Sequence, residues 1–536
     1  MRPLLQILLT SLTIVLLSSC EGDRTIDKAT QEKILLIGNS DEPADLDPQV
    51  VTGVIESNII NALFEGLCVQ HPEKDGIHLP GVAEKWQASD DFKSWTFYLR
   101  KDAKWSDGSP LTTVDFLFAY ERILSPEFAA KYAEMLYFIT NAEAFNKGNL
   151  TDFSKVGVEA LDPHTLKFEL KAPTPFLPDL TKHYTWFPVP KHTVLKYGAI
   201  DEKHTAWTAP GKLVSNGAFQ LKSWRYNQFI EVERNPHYWD TEQVKLSAIH
   251  FLPIKNPYTE ARMFFDGQLH VTYTLAPEMV KYSKENYAQN LRQEPYFTSS
   301  FLRCNVLSDK VSDPNTRKAL AYSINRQSLI DNILQGGQIA AHALVPPIGE
   351  YQSPQMVEFD LAKAKEHLKK SGYGPSTPLR LRLLATDKDS TKRLCEAMQA
   401  MWKQTLGVEV SIEQFEWKTY LDKVHKSDYD LCIGGWVADY PDVSTFLDMW
   451  VKGGGNNRTN WYNEEYEALL KIGAQSSNPS QRIHTLEKAE EQLLKDMPII
   501  PLYWASTNYL IDSSVKGWHP LLLNNHPYKF VDLENH

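Results

Sequence analysis

Leu379-Arg380-Leu381-Arg382-Leu383-Leu384, then residues 395–406, then Val408-Glu409-Val410-Ser411-Ile412, form the stretch that sets the fold class. The first and last segments have the length and branched apolar character of strands, and the segment between them has the length of a helix. Residues 360–370 read as a further helix ahead of them. Helix and strand therefore alternate, which predicts βαβ construction and an α/β sheet. Ligands of such folds lie where loops meet the strand ends.

Working outward, a chain of 536 residues exceeds what one hydrophobic core supports, so two or three domains are expected. Apolar residues make up 42% and charged residues 23%, which suits folded globular domains. A net charge of -11 and an isoelectric point near 5.8 oppose contact with nucleic acid phosphates. Toward the N-terminus, Ile34-Leu35-Leu36-Ile37 reads as a short buried strand, followed by a turn-rich stretch through Pro43 and Asp47-Pro48. Residues 57–67 read as a helix, with Ile59, Ile60, Leu63 and Leu67 on one side. The alternation Trp95, Phe97, Leu99 marks a strand, and Trp105-Ser106-Asp107-Gly108 a turn. Thr112 or Thr113 can cap a helix that has Asp115 in its first turn.

The first twenty residues differ from the rest. Arg2 precedes a nearly unbroken apolar run over residues 4–17, a secretory signal too short to span a bilayer. Leu17-Ser18-Ser19-Cys20 follows and is similar to a bacterial lipoprotein cleavage box, with Ser19 in place of the usual Gly or Ala. Residues 1–19 are therefore expected to be removed and Cys20 acylated, the alternative being a plain cleaved signal. Residues 20–33 then form a lipid anchor and polar tether, with folded structure starting at Ile34. Cys68, Cys304, Cys395 and Cys432 are widely spaced, with no C-x-x-C. They suit buried thiols, with one or two disulfides as the alternative, and indicate no zinc site.

Several stretches resemble the bacterial extracellular solute-binding family that contains oligopeptide-, dipeptide- and nickel-binding proteins. They are Gly81-Val82-Ala83-Glu84-Lys85-Trp86, residues 94–100, Trp105-Ser106-Asp107-Gly108, Asn216-Gly217-Ala218-Phe219 and Arg234-Asn235-Pro236, together with Tyr238-Trp239. By their chemistry Trp86, Trp95 and Trp105 are core aromatics rather than ligand contacts. The resemblance implies a type II periplasmic-binding-protein-like fold with three domains around a hinged cleft. It divides the chain into a discontinuous domain I (34–64, 189–297 and 507–536), domain II (65–188) and domain III (298–506).

Gly434-Gly435-Trp436-Val437-Ala438-Asp439-Tyr440-Pro441, after an apolar strand at residues 429–433, carries the informative chemistry. The glycines permit close backbone approach, and Trp436 sets a flat surface beside a carboxylate. A carboxylate in a closing cleft needs an opposite charge, which the α-amino group of any peptide supplies. The competing reading of Asp439 is a turn residue before Tyr440-Pro441. In oligopeptide-binding proteins that this segment is similar to, the matching aspartate binds the ligand's amino terminus. That comparison also sets Trp436 and Trp417 beside side-chain pockets and Tyr132 and Val54 at the cleft. It places backbone groups of Gly435, Val437 and Phe301 along the peptide, in the manner of strand addition. Positions that carry basic groups for the ligand's carboxyl end are Thr391, Val424 and Ile433 here, and no replacement cation is evident. A cysteine pair of those proteins corresponds to Thr298 and Val437, so that bridge is not expected.

The chain has no H-E-x-x-H, G-x-S-x-G or P-loop signature, which argues against a secreted hydrolase. No cofactor or metal is expected. The reading that emerges is a monomeric, lipid-anchored receptor on the extracytoplasmic side that holds short peptides for an ABC transporter permease. Alternatives are a cell-wall (murein) peptide, a dipeptide, a nickel complex or haem, and a surface adhesin.

Overall fold

The computed structural model describes residues 24–535, so the signal segment and Cys20 lie outside the described residues. Folded structure begins before Ile34. Residues Thr25–Gln31 form a helix, which corrects the expected tether over this part. Its inward side is short: Ile26 and Ala29 pack with Leu36, Phe264 and Leu269, and Thr30 Oγ1 lies 3.0 Å from His270 Nε2. Two apolar residues in seven leave no visible period, which is why the segment reads as polar.

Three larger sheets follow. The first orders Ile34–Gly38, Ala248–Leu252, Phe229–Arg234 and Phe219–Arg225, with the first pair parallel. Its leading strand is buried on both faces: Leu36 enters the core beneath the N-terminal helix, and Leu35 and Ile37 enter the largest core. Opposite faces with separate cores explain the unbroken apolar run. The second sheet is antiparallel, in the order Ala83–Ala88, Ser94–Leu99, Thr165–Glu169, Val158–Asp162. Trp95, Phe97, Leu99 and Trp105 are buried as expected of core residues, and Trp86 stacks on Phe97 at 6.2 Å. Thr112 and Asp115 form a reciprocal capping box on the helix Thr113–Leu124.

The helix expected at 57–67 spans Val54–Leu63, and Phe64 is already extended. Gly217 N–H donates to the Leu63 carbonyl at 2.8 Å, so a strand-side glycine satisfies that helix end in place of a further turn. Arg122, fully buried, bridges to the turn-rich segment. It donates to Asp47 at 2.7 and 3.0 Å, to Gln49 at 2.7 Å and to the Ile200 carbonyl at 3.0 Å.

The third sheet has six strands in the order Ile339–Ala340, Ile499–Leu510, Leu291–Cys304, Leu431–Val437, Arg380–Thr386, Glu409–Phe415. Arg380–Thr386 pairs parallel with Glu409–Phe415 across the helix Asp389–Leu406, the expected βαβ unit. The helix Leu361–Lys370 precedes it, capped by the Asp360 side chain. Leu431–Val437 runs on through Gly434 and Gly435, which corrects the strand expected to stop at residue 433. Pairing with the long strand Leu291–Cys304 holds the glycines extended. That long strand and Ile499–Leu510 pair antiparallel, with breaks in register between Pro295 and Ser299 and between Ser300 and Phe301. Beyond Leu510, Ile511 bridges to Val271, which bridges to Ile37 of the first sheet.

Cys68, Cys304, Cys395 and Cys432 are buried free thiols. Thr298 and Val437 lie opposite each other in register, the geometry of a cross-strand pair without sulfur. Among the described residues no helix is long and apolar enough to cross a membrane.

Candidate functional site

The cleft strand Leu431–Val437 is paired unevenly. Leu431 and Cys432 pair with Leu383 and Leu384 on one side, whereas residues 431–437 all pair with Leu291–Cys304 on the other. From Ile433 to Val437, one edge has no partner strand among the described residues. Gly435 and Val437 are exposed on this stretch. An unpaired edge with a missing side chain can pair with an extended chain through backbone groups alone.

Asp439 follows this edge, and Thr445 fixes its approach. Thr445 Oγ1 accepts from Trp436 Nε1 at 3.1 Å and from Asp439 N–H at 3.4 Å. The turn beyond it is stabilised by Asp442, whose Oδ1 accepts from Ser444 N–H at 2.9 Å and whose carboxylate binds Arg482 at 2.7 and 2.8 Å. Asp442 therefore takes the local turn role. Among the described residues, no basic nitrogen lies within ion-pair distance of the Asp439 carboxylate. Thr445→Val is expected to leave the Trp436 indole and the Asp439 amide short of an acceptor, costing about 1 kcal/mol in urea unfolding.

Asp439 borders a cavity of about 540 Å³ with Trp436, Glu134, Asp448, Phe138 and Tyr440. Tyr440 stacks on Phe176 at 5.3 Å, and Phe138 meets both rings edge-on. Burial, assisted by the negative charge of Glu134, pushes the Asp439 carboxyl up to about 6. Burial and the neighbouring Asp442 hold Asp448 up at about 6. Arg482 is already held by Asp442. His183, beside Asp439 in an adjoining smaller cavity, is lowered by burial to about 4 and is neutral at pH 7. Lys171 also lines the chamber, but Glu134, Asp439 and Asp448 outnumber it once Arg482 is taken by Asp442, so the aromatic-walled chamber keeps an excess of carboxylate, suited to a ligand cation.

A second cavity of about 300 Å³ lies under the same strand, lined by Trp417, Val424, Ile433 and Gly434, with Arg303 and Arg458 reaching into it. Trp417 is 61% exposed and stacks on Tyr420 at 5.7 Å. The expectation that no cation stands near Val424 and Ile433 is therefore corrected. The two guanidiniums come from sequence-distant segments, so spacing around residue 433 cannot reveal them. Thr391 is not itself in this lining but adjoins it, its hydroxyl standing 3.3 Å from that of Thr386, which lines the cavity.

Of the residues singled out from sequence, Asp439 and Trp436 share the larger cavity, and Trp417 and Gly435 share the second. Tyr132 stands near Asp439: burial and then the Asp439 charge raise its hydroxyl to about 12. Val437 lies on the open edge, and Val54 begins a helix with its side chain exposed. Phe301 is a correction. It is fully buried, paired with Gly434 on one side and Pro501 on the other, so no strand edge is open there. Glu134 and Tyr296 were missed; burial and the Asp439 charge raise Tyr296 to about 12. Neither carries a periodic signal, and only proximity to Tyr132 and Thr298 in sequence points toward them.

A mixed α/β architecture, a carboxylate-rich aromatic cavity and a strand edge without a partner are the features of a solute-binding class of protein. The chain belongs to the bacterial extracellular solute-binding proteins, family 5, which residues 79–458 match. It is 34% identical over 507 residues to the periplasmic oligopeptide-binding protein OppA of Salmonella typhimurium, covering 93% of this chain and 91% of that protein. The structure superposes on the murein tripeptide binding protein MppA of Escherichia coli with a TM-score of 0.79 at 31% identity, covering 94% and 99% of the two chains. It superposes on Haemophilus influenzae OppA in complex with the peptide RPPGFSPFR with a TM-score of 0.78, also at 31% identity, covering 94% and 99%. The periplasmic-binding-protein-like α/β fold expected from sequence is the fold observed.

Proposed function

We propose that this chain captures short peptides on the extracytoplasmic side of the membrane and delivers them to the permease of an ABC transporter. The observation that carries the reading is Asp439: a half-buried carboxylate with no basic partner among the described residues, set beside an open strand edge. Its complement is the α-ammonium that every unblocked peptide carries, and the edge from Ile433 to Val437 offers pairing indifferent to side chains. The peptide-binding relatives support the same cargo.

The proposed domain boundaries at 297/298 and 506/507 fall in the two long strands, near the break in register between Pro295 and Ser299. We place the hinge there. Ligand touching both lobes would stabilise the closed form by its differential affinity. We also propose that Cys20 carries the lipid; replacing it by alanine is expected to release the protein from the membrane fraction.

The test of cargo is titration calorimetry with a free tetrapeptide and its N-acetylated form. Acetylation is expected to weaken binding more than tenfold; equal binding would refute amine capture. A second reading, a cell-wall peptide, is supported by the likeness to a murein tripeptide binding protein and by the presence of both acidic and basic cavities. Mass spectrometry of co-purified ligand separates the two.

A further inference from the structure

We propose that Arg303 and Arg458 form a carboxylate-binding subsite of the cleft, at positions other than those where the family resemblance places basic groups. The proposal rests on the peptide reading above. Arg303 comes from the long strand Leu291–Cys304 and Arg458 from the loop after residue 455, and both line the cavity walled by Trp417, Val424 and Ile433.

Arg303 and Arg458 are partly buried, whereas the buried arginines among the described residues have acceptors. Arg122 binds Asp47, Arg482 binds Asp442, and Arg317 and Arg326 donate to backbone carbonyls. Arg303 and Arg458 have no carboxylate within ion-pair distance among the described residues. Arg303 Nε is buried without a hydrogen-bond acceptor, and its guanidinium lies against the Cys432 thiol and 5.1 Å from the Phe301 ring centre. Burial and the nearby Arg303 charge both lower the Arg458 pKa. Two like charges held together at an apolar wall are relieved by one anion, and guanidiniums match a carboxylate through paired N–H donors.

Gly434 makes the arrangement possible. A Cβ there would stand 2.1 Å from Arg303 Nη1, so any larger residue would displace the guanidinium from its place against the strand. The geometry also sets a span. Gly434 and Asp439 are five positions apart, about 16 Å at ~3.3 Å per residue. A ligand with its ammonium at Asp439 and its carboxylate at the arginine pair would be roughly four or five extended residues long. The cations that Val424 and Ile433 cannot supply thus come from a neighbouring strand and a loop.

The carboxylate can belong to the peptide's C-terminus or to an acidic side chain near that end. Calorimetry on the full mature protein distinguishes them, using penta-alanine as the free acid, as the C-terminal amide, and as an amide with glutamate in the last position. The wild type is expected to lose tenfold or more on amidation. Arg303→Gln and Arg458→Gln are expected to weaken the free acid about tenfold each while binding the amide as the wild type does. Recovery by the glutamate amide, dependent on both arginines, would identify a side-chain carboxylate as an accepted ligand group. The amide arm in the wild type needs no variant, so a misfolded variant does not spoil the test. If free acid and amide bind the wild type equally while N-acetylation abolishes binding, the subsite is wrong and the cargo stands. If none of the peptides binds, both readings fall.

Discussion

Asparagine in place of Asp439 is expected to weaken binding of free-amine peptides more than tenfold and, at the same time, to stabilise the empty protein. The first effect follows from removing the carboxylate proposed to pair with a desolvated ammonium, which typically costs 2–5 kcal/mol or more. The second follows from linkage. The carboxyl stands at about 6 in the folded cleft, against 3.8 for an unperturbed aspartate. Its contribution to the stability of the empty protein is therefore greatest below the unfolded pKa and is lost as pH rises through about 6. A shift of this size corresponds to ~3 kcal/mol at full strength, and partial solvent exposure reduces the expectation to about 1–2 kcal/mol.

Both signs are measurable. Peptide affinity is expected to be highest near pH 7, to fall, approaching tenfold per unit, as pH drops below 6, and to fall again above about pH 8 as the ligand's own α-ammonium loses its proton. The Asn variant should lack that slope and melt at higher temperature than the empty wild type. An unchanged pH profile would remove Asp439 from the ligand's path. Higher stability together with lost affinity is the signature of a group retained for binding at the expense of the fold.

The second large effect concerns the scaffold. Arg122→Ala is expected to lower the free energy of unfolding by about 3–5 kcal/mol, because it leaves the buried Asp47 carboxylate without its cation. Trp207 Nε1 would still donate to Asp47 at 3.2 Å, too little to replace a guanidinium bound through two nitrogens. Joint replacement, Arg122→Met with Asp47→Leu, is expected to recover much of the loss, since apolar groups of similar size need no desolvated counter-charge. Urea unfolding of the three proteins decides the matter. A loss below about 1 kcal/mol for Arg122→Ala would show that water reaches Asp47.

Much of the scaffold was legible because it is periodic or local. The βαβ unit around Arg380–Thr386, the Thr112–Asp115 capping box and the buried tryptophans each follow from residues within a few positions of one another. Asp439 was legible for a different reason: a carboxylate beside tryptophan and a glycine pair is unusual chemistry within a short stretch. The N-terminal helix failed to register because its apolar side holds only Ile26 and Ala29. Phe301 misled because its neighbours in sequence do not reveal that strands lie on both its edges.

The cations near Ile433 show where sequence reading ends. Arg303 precedes Gly434 by well over a hundred residues, and Arg458 follows it by about two dozen. No motif joins them, because their proximity is set by antiparallel register: Arg303 pairs with Cys432, and the missing side chain of Gly434 makes room for its guanidinium. By itself, then, the sequence determined the alternating α/β scaffold and marked the carboxylate beside tryptophan and a glycine pair, since both are written in local order. Only the tertiary structure decided that two arginines stand beside Val424 and Ile433, because register between distant strands is what brings charges together.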